Sequence, residues 1–193
     1  GEILQMCLTG YQANDPALNA MMNGGGLKDH SNDELAAIMA GKKVGVGFSM
    51  TDRFFLLSGN TNREDLETQL QLQTAYLMHP GYRQDGVTLL RRAIPMIYNK
   101  MDHEVQGAMK KQVPAILYRN NPRFTFPTQE QLTSYQIKDV RDWVDAPLKN
   151  NYMEVTVTGD FRTEDIIPLL ERTVGAVPKR AEAPATLDET LRH

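Results

Sequence analysis

The residues of this chain best placed to suggest chemistry are His103 and Glu104, in the stretch "MDHEVQG". A histidine followed by a glutamate opens the pattern H-E-x-x-H. On a helix that pattern sets two imidazoles one turn apart on one face, with the glutamate placed to activate a zinc-bound water. Position 107, where the second histidine belongs, is glycine. One imidazole does not hold zinc. The pair reads better as a helix start, where the Glu104 carboxylate suits the positive end of the helix dipole. The inverted pattern, H-x-x-E-H, fails at His30, because Asp33 and Glu34 occupy the places of its glutamate and second histidine. His79 precedes Pro80 in a turn, and His193 is the last residue. The four histidines are scattered, with no paired spacing.

Other chemistries find no better footing. "NGGGLKDH" at 23–30 lacks the G-K-[ST] ending and the strand-before-helix setting of a phosphate loop. "VGVG" at 44–47 falls in a strand, where glycine more often permits a bulge or a close backbone approach. There is no G-x-S-x-G elbow for a serine hydrolase. The acidic pairs Glu64-Asp65 and Glu164-Asp165 open helices and suit the dipole there. Cys7 is the one cysteine, which rules out an intrachain disulfide and reads as an idle thiol. Lack of disulfides leaves the compartment open, the periplasm included. Met21, Met22, Met96, Met101 and Met109 fall on or near helix faces. Core packing is the first reading for them, adaptable peptide-binding surface the second.

The elements that would carry such residues follow from pattern. "DPALNAMM" at 15–22 reads as a short helix with Asp15 as cap and Pro16 at the first position. Ser31 and Glu34 form a capping box before the stripe Leu35, Ile38, Met39, which Gly41 ends. Two β-rich runs, 44–50 and 53–59, flank Thr51-Asp52 as a hairpin. Asn62 caps a long helix with Leu66, Leu70, Gln73 and Leu77 at helical spacing, stopped by "HPGY". A second long helix spans 84–101, with Leu89, Leu90, Ala93, Ile94 and Ile97 inward and Pro95 inside it. A third covers 103–117. Thr128/Gln131 and Thr133/Gln136 give two more capping boxes, the latter opening a helix through Val140, Trp143 and Val144. "YMEVTVTGD" at 152–160 is the clearest strand, followed by a helix over "TEDIIPLLERTVG".

This order predicts an α+β fold with a mostly antiparallel sheet and helices packed on one face. Residues 1–180 read as one domain and 181–193 as a linker or tail. Three strands are visible, which makes a thin sheet. The 193 residues suffice for one sizeable core. A net charge of −3 offers no basic face for nucleic acid. No apolar run approaches the ~20 residues of a membrane span. "GEILQMCLTG" has no basic n-region and no initiator Met, so it reads as the start of a segment cut from a longer chain rather than a signal peptide.

Taken in order, these pieces resemble the insulinase/pitrilysin family of zinc metallopeptidases. "LSGNTNREDLETQLQLQTAYLMHPGY" is similar to the family's strand, glycine, long helix and proline turn. "MEVTVTGDFRTEDIIPLLERTVGAVPKR" resembles its closing strand, Gly-Asp turn, helix and exit. "GGLKDHSNDELAAIMAGKKVGVGFSM" resembles the helix and strand that precede, most like the third of the family's four domains. The likeness covers roughly residues 15 to 180. It implies an α+β domain from a two-half protease chamber, with zinc held elsewhere. The family's zinc helix would align with 15–22, so the ligand and base positions fall near Pro16, Asn19 and Ala20, none of which serves. The family's distant glutamate would lie in the helix at 84–101, yet Arg92 to Met101 holds no carboxylate. The catalytic arginine–tyrosine pair belongs to a later domain, so Tyr118 and Arg119 do not inherit it. The resemblance thus implies no catalytic, cofactor or metal residue in this chain, zinc only in the parent enzyme's catalytic domain, and the other domains and extended peptide as partners. A structural module of a processing-peptidase-like assembly, with no peptide site, is the alternative. Incubated with zinc and unfolded peptides, the chain alone is expected to cleave nothing. Zinc-dependent turnover abolished by His103→Ala would contradict this.

Overall fold

The structure, a computed structural model, describes residues 2–9, 16–50, 54–121 and 124–182, and only the backbone of 2–9, 16, 17 and 54. Four antiparallel strands form one sheet in the order β2-β3-β1-β4. They are β1 (Glu2–Thr9), β2 (Gly47–Met50), β3 (Phe54–Thr61) and β4 (Met153–Thr158). β1 is a fourth strand beyond the three that the sequence pattern shows. It is central, pairing with β3 (Leu8↔Phe55) on one side and β4 (Leu8↔Met153) on the other. The strands at 44–50 and 53–59 pair as expected, Met50 opposite Phe55, but the first begins only at Gly47. The turn Thr51-Asp52, the cap Asp15 and the tail 183–193 lie outside the described residues.

Alternation decides which sheet face is buried. Phe48 and Met50 of β2 and Phe55 and Leu57 of β3 are at most 4% exposed. The helices cover that face. They are α1 (Pro16–Gly24), α2 (Asn32–Ile38), α3 (Leu66–Met78), α4 (Gln84–His103), α5 (Val105–Leu117), α6 (Gln129–Ser134), α7 (Ile137–Asn150) and α8 (Thr163–Arg172). From them Met21, Leu70, Leu77, Leu90, Ile94, Leu132, Val144 and Ile166 complete the core. Phe55 is its aromatic hub, 5.8 Å from the Phe48 ring and 6.3 Å edge-on from Trp143.

Local signals mostly hold. Ser31/Glu34 and Thr128/Gln131 are true capping boxes. Backbone and side-chain hydrogen bonds from Ser31 hold the Glu34 carboxyl below its ordinary range. Leu66, Leu70, Gln73 and Leu77 are all buried on α3. Asn62 Oδ1 accepts from Asp65 N at 2.8 Å, but three turn residues intervene before the helix begins.

Several expectations need correction. Ile38 and Leu89 are 54% and 53% exposed. On α4, Leu90 and Ile94 face inward as expected and Ala93 and Ile97 are half-buried, but Leu89 faces out and Val87 and Tyr98 complete the buried stripe. Thr133 opens no helix; its hydroxyl donates to Gln129 O inside α6, and α7 is capped by Asp139 Oδ2 accepting from Gln136 N. His103 and Glu104 do not begin a helix together. His103 ends α4, its Nδ1 2.9 Å from Asn99 O, and Glu104 is the single extended residue between α4 and α5. Gly107 has a packing reason. A Cβ there would stand 2.4 Å from Lys100 O and 2.6 Å from the Met101 Cα, so glycine lets the first turn of α5 fold back onto the last turn of α4.

Candidate functional site

A sheet with helices on one face presents its two terminal strands to whatever lies beside them. Unpaired backbone groups on such a strand are a template for another strand. The two edges here are treated differently.

The β2 edge is closed at Phe48 by a side chain. Asn23, near the end of α1, reaches Phe48. Its Oδ1 accepts from Phe48 N at 2.7 Å, and its Nδ2 donates to Phe48 O at 2.8 Å. A side-chain amide thereby makes both hydrogen bonds that a neighbouring strand would make. A second amide does the same at Gly45, where the chain has peeled away from β3. Gln69 Oε1 accepts from Gly45 N at 2.9 Å and its Nε2 donates to Gly45 O at 2.8 Å. Gln69 comes from the buried face of α3 and is itself fully buried. It passes beside Gly59, where a Cβ would lie 2.1 Å from its Nε2 and 2.5 Å from Gly45 O. Glycine at 59 is therefore what lets the bracket form. The close approach expected of "VGVG" is real, but Gly59 on the neighbouring strand supplies the room; a Cβ at Gly45 would meet nothing within 4 Å. From the same helix face, Gln73 Nε2 donates to Leu57 O at 3.2 Å.

The β4 edge differs. β4 ends the sheet order among the described residues. Its inward residues Met153, Val155 and Val157 are only half-buried, while Glu154, Thr156 and Thr158 are exposed. At its start the Tyr152 hydroxyl donates to Glu154 Oε1 at 2.9 Å, and that bond raises the phenol's pKa. The chain that follows the last helix is tied just ahead of the strand, with Ala181 N donating to Asn150 O and Arg180 Nε to Asn151 O.

Among the described residues, the histidines His30, His79 and His103 come together in no metal site. His30 and His79 lie in loops joined by the Leu27–Pro80 bridge, and His103 sits at the end of α4. Among the described residues no group of three His, Cys, Asp or Glu is placed to hold a metal ion. The donor set at the start of α1 does not fit zinc either: Asn19 offers one amide oxygen and Ala20 offers nothing. Among the described residues no helix is long and apolar enough to cross a membrane.

The same arrangement of sheet and helices is found in known proteases. The periplasmic protease PqqL from Escherichia coli superposes over 95% of this chain and 22% of its own, with TM-score 0.71 and 14% identity. Pitrilysin does so over 95% of this chain and 22% of its own, with TM-score 0.67 and 14% identity. The fold is the insulinase-type protease fold. Among curated proteins, the chloroplastic stromal processing peptidase of Pisum sativum is 20% identical over 151 residues, which is 77% of this chain and 12% of that protein. The chain thus spans about an eighth of the curated relative and about a fifth of these protease structures. No family model matches it.

The amides Asn23 and Gln69 were not singled out by the sequence. The available signal was a pair of glutamines, Gln69 and Gln73, set among the leucines of the inward face of α3. Replacing Asn23, whose side chain is exposed, by alanine removes both bonds to Phe48 at a site water can reach and is expected to cost about 0.5–1.5 kcal/mol. Chemical denaturation checks the cost. Because the edge is then open, the variant should also aggregate faster than the parent at equal concentration, as measured by light scattering.

Proposed function

We propose that this chain is a non-catalytic domain of a zinc-dependent metalloendopeptidase of the insulinase/pitrilysin type. Residues 1–180 form the domain and 181–193 lead out of it. Its order and spacing of motifs favour the third of four domains, at the start of the second half. Its role is to help wall the peptide-degrading chamber and to hold extended peptide there. Zinc and the catalytic base come from another domain of the parent enzyme; the positions aligned with the ligands, near Pro16, Asn19 and Ala20, supply neither.

The observation that carries the peptide-binding part is the asymmetry of the sheet. Strand addition reads backbone and tolerates sequence, as a protease chamber requires. Asn23 closes β2 to such addition. β4 terminates the other side with its inward face half covered. Peptide is therefore assigned to β4. The assembly-module alternative also has support, in an exposed apolar helix described below.

Fluorescence anisotropy of labelled extended peptides, titrated with the protein, tests the reading. Saturable binding is expected, similar for unrelated sequences and lost when the peptide backbone is N-methylated. No binding, alongside tight binding to the partner half of the enzyme, would favour the assembly module.

A further inference from the structure

Helix α5 turns its bulky apolar side chains away from the rest of the protein. Residues follow each other at about 100° around a helix, so Val105, Met109, Val113, Ile116 and Leu117 share one arc of roughly 120°. They are 80%, 58%, 39%, 75% and 69% exposed, and no residue of α5 is buried. The opposite arc is small or polar. Gly107 lies against the backbone of Lys100 and Met101, and the Lys111 ammonium bonds Asp102 Oδ1 at 2.7 Å and lies 5.9 Å from the Tyr98 ring centroid. The helix thus docks on α4 by its least apolar side. Just past the helix end, Tyr118 is 48% exposed and stacked on Phe124 at 4.3 Å.

An amphipathic helix normally buries its apolar face. A continuous exposed apolar surface of this kind marks an interaction site. We propose that this face is covered by another domain of the longer protein to which the chain belongs. The inference rests on the multi-domain reading given under Proposed function and names the surface that serves it. Two observations select that occupant. Solved proteins with this fold are longer: the chain matches 22% of PqqL and of pitrilysin and 47% of a protease from Helicobacter pylori. The arc from Val105 to Leu117 also carries no charged residue, as suits an interface buried permanently within one protein. A peptide adding to β4 needs none of these residues.

The test is alkylation of Ile116→Cys in the native full-length protein, read by mass spectrometry at that position. The same site in urea-unfolded protein is the reference. Docking predicts labelling at least tenfold slower in the native protein, unchanged by dilution. Met109→Cys repeats the test where Ile116→Cys fails to fold. Labelling less than tenfold slowed overturns the proposal. Protection that disappears on dilution also overturns it, and points to a second copy of the protein. Protection that requires added extended peptide overturns it as well, and would make α5 the peptide surface. Peptide binding is scored separately by anisotropy, so the docking face and the peptide edge can fail independently.

Discussion

Every backbone N–H and C=O removed from water must find a partner, and a sheet edge is where that requirement is hardest to meet. In this protein Asn23 meets the requirement at β2, and Gln69 meets it between β3 and the segment that leads into β2. Asn23 takes both polar groups of Phe48, and Gln69 takes both of Gly45. Much else follows from those brackets. α1 must end where Asn23 can reach β2, and α3 must lie so that Gln69 crosses the sheet. Residue 59 must be glycine so that the crossing is unobstructed. The Asn23 bracket leaves β4 as the edge to which an incoming strand could add.

The helix layer follows a second constraint, the use of minimal side chains where helices cross. Gly107 lets α5 fold tightly onto α4, at the expense of any buried apolar contact from α5 itself. That choice makes sense for a part of a larger body. In a free-standing protein a helix that exposes Val105, Ile116 and Leu117 would be a liability.

What could be read from sequence was what is local. The capping boxes at Ser31 and Thr128 need only four residues each, and the stripe of α3 needs only a helical period. β4 was legible because Met153, Val155 and Val157 alternate cleanly. β1 was not. "EILQMCLT" has adjacent apolar residues rather than alternation, and both of its partners lie far along the chain. Its place at the centre of the sheet is a tertiary fact. The Leu89 error is one of phase: two leucines stand side by side, and only the register of Val87, Ile94 and Tyr98 decides which one faces in. The edge closure was hidden for a similar reason. Asn23 reads as part of a glycine-rich helix stop, and its partner Phe48 is distant in sequence.

The central claim is that the two edges of the sheet differ in function. Hydrogen exchange of backbone amides, with and without a saturating extended peptide, tests it most directly. The account predicts added protection across Met153–Thr158 and no change across Gly47–Met50. Protection at Gly47–Met50, or peptide binding that leaves Met153–Thr158 unchanged, would contradict it.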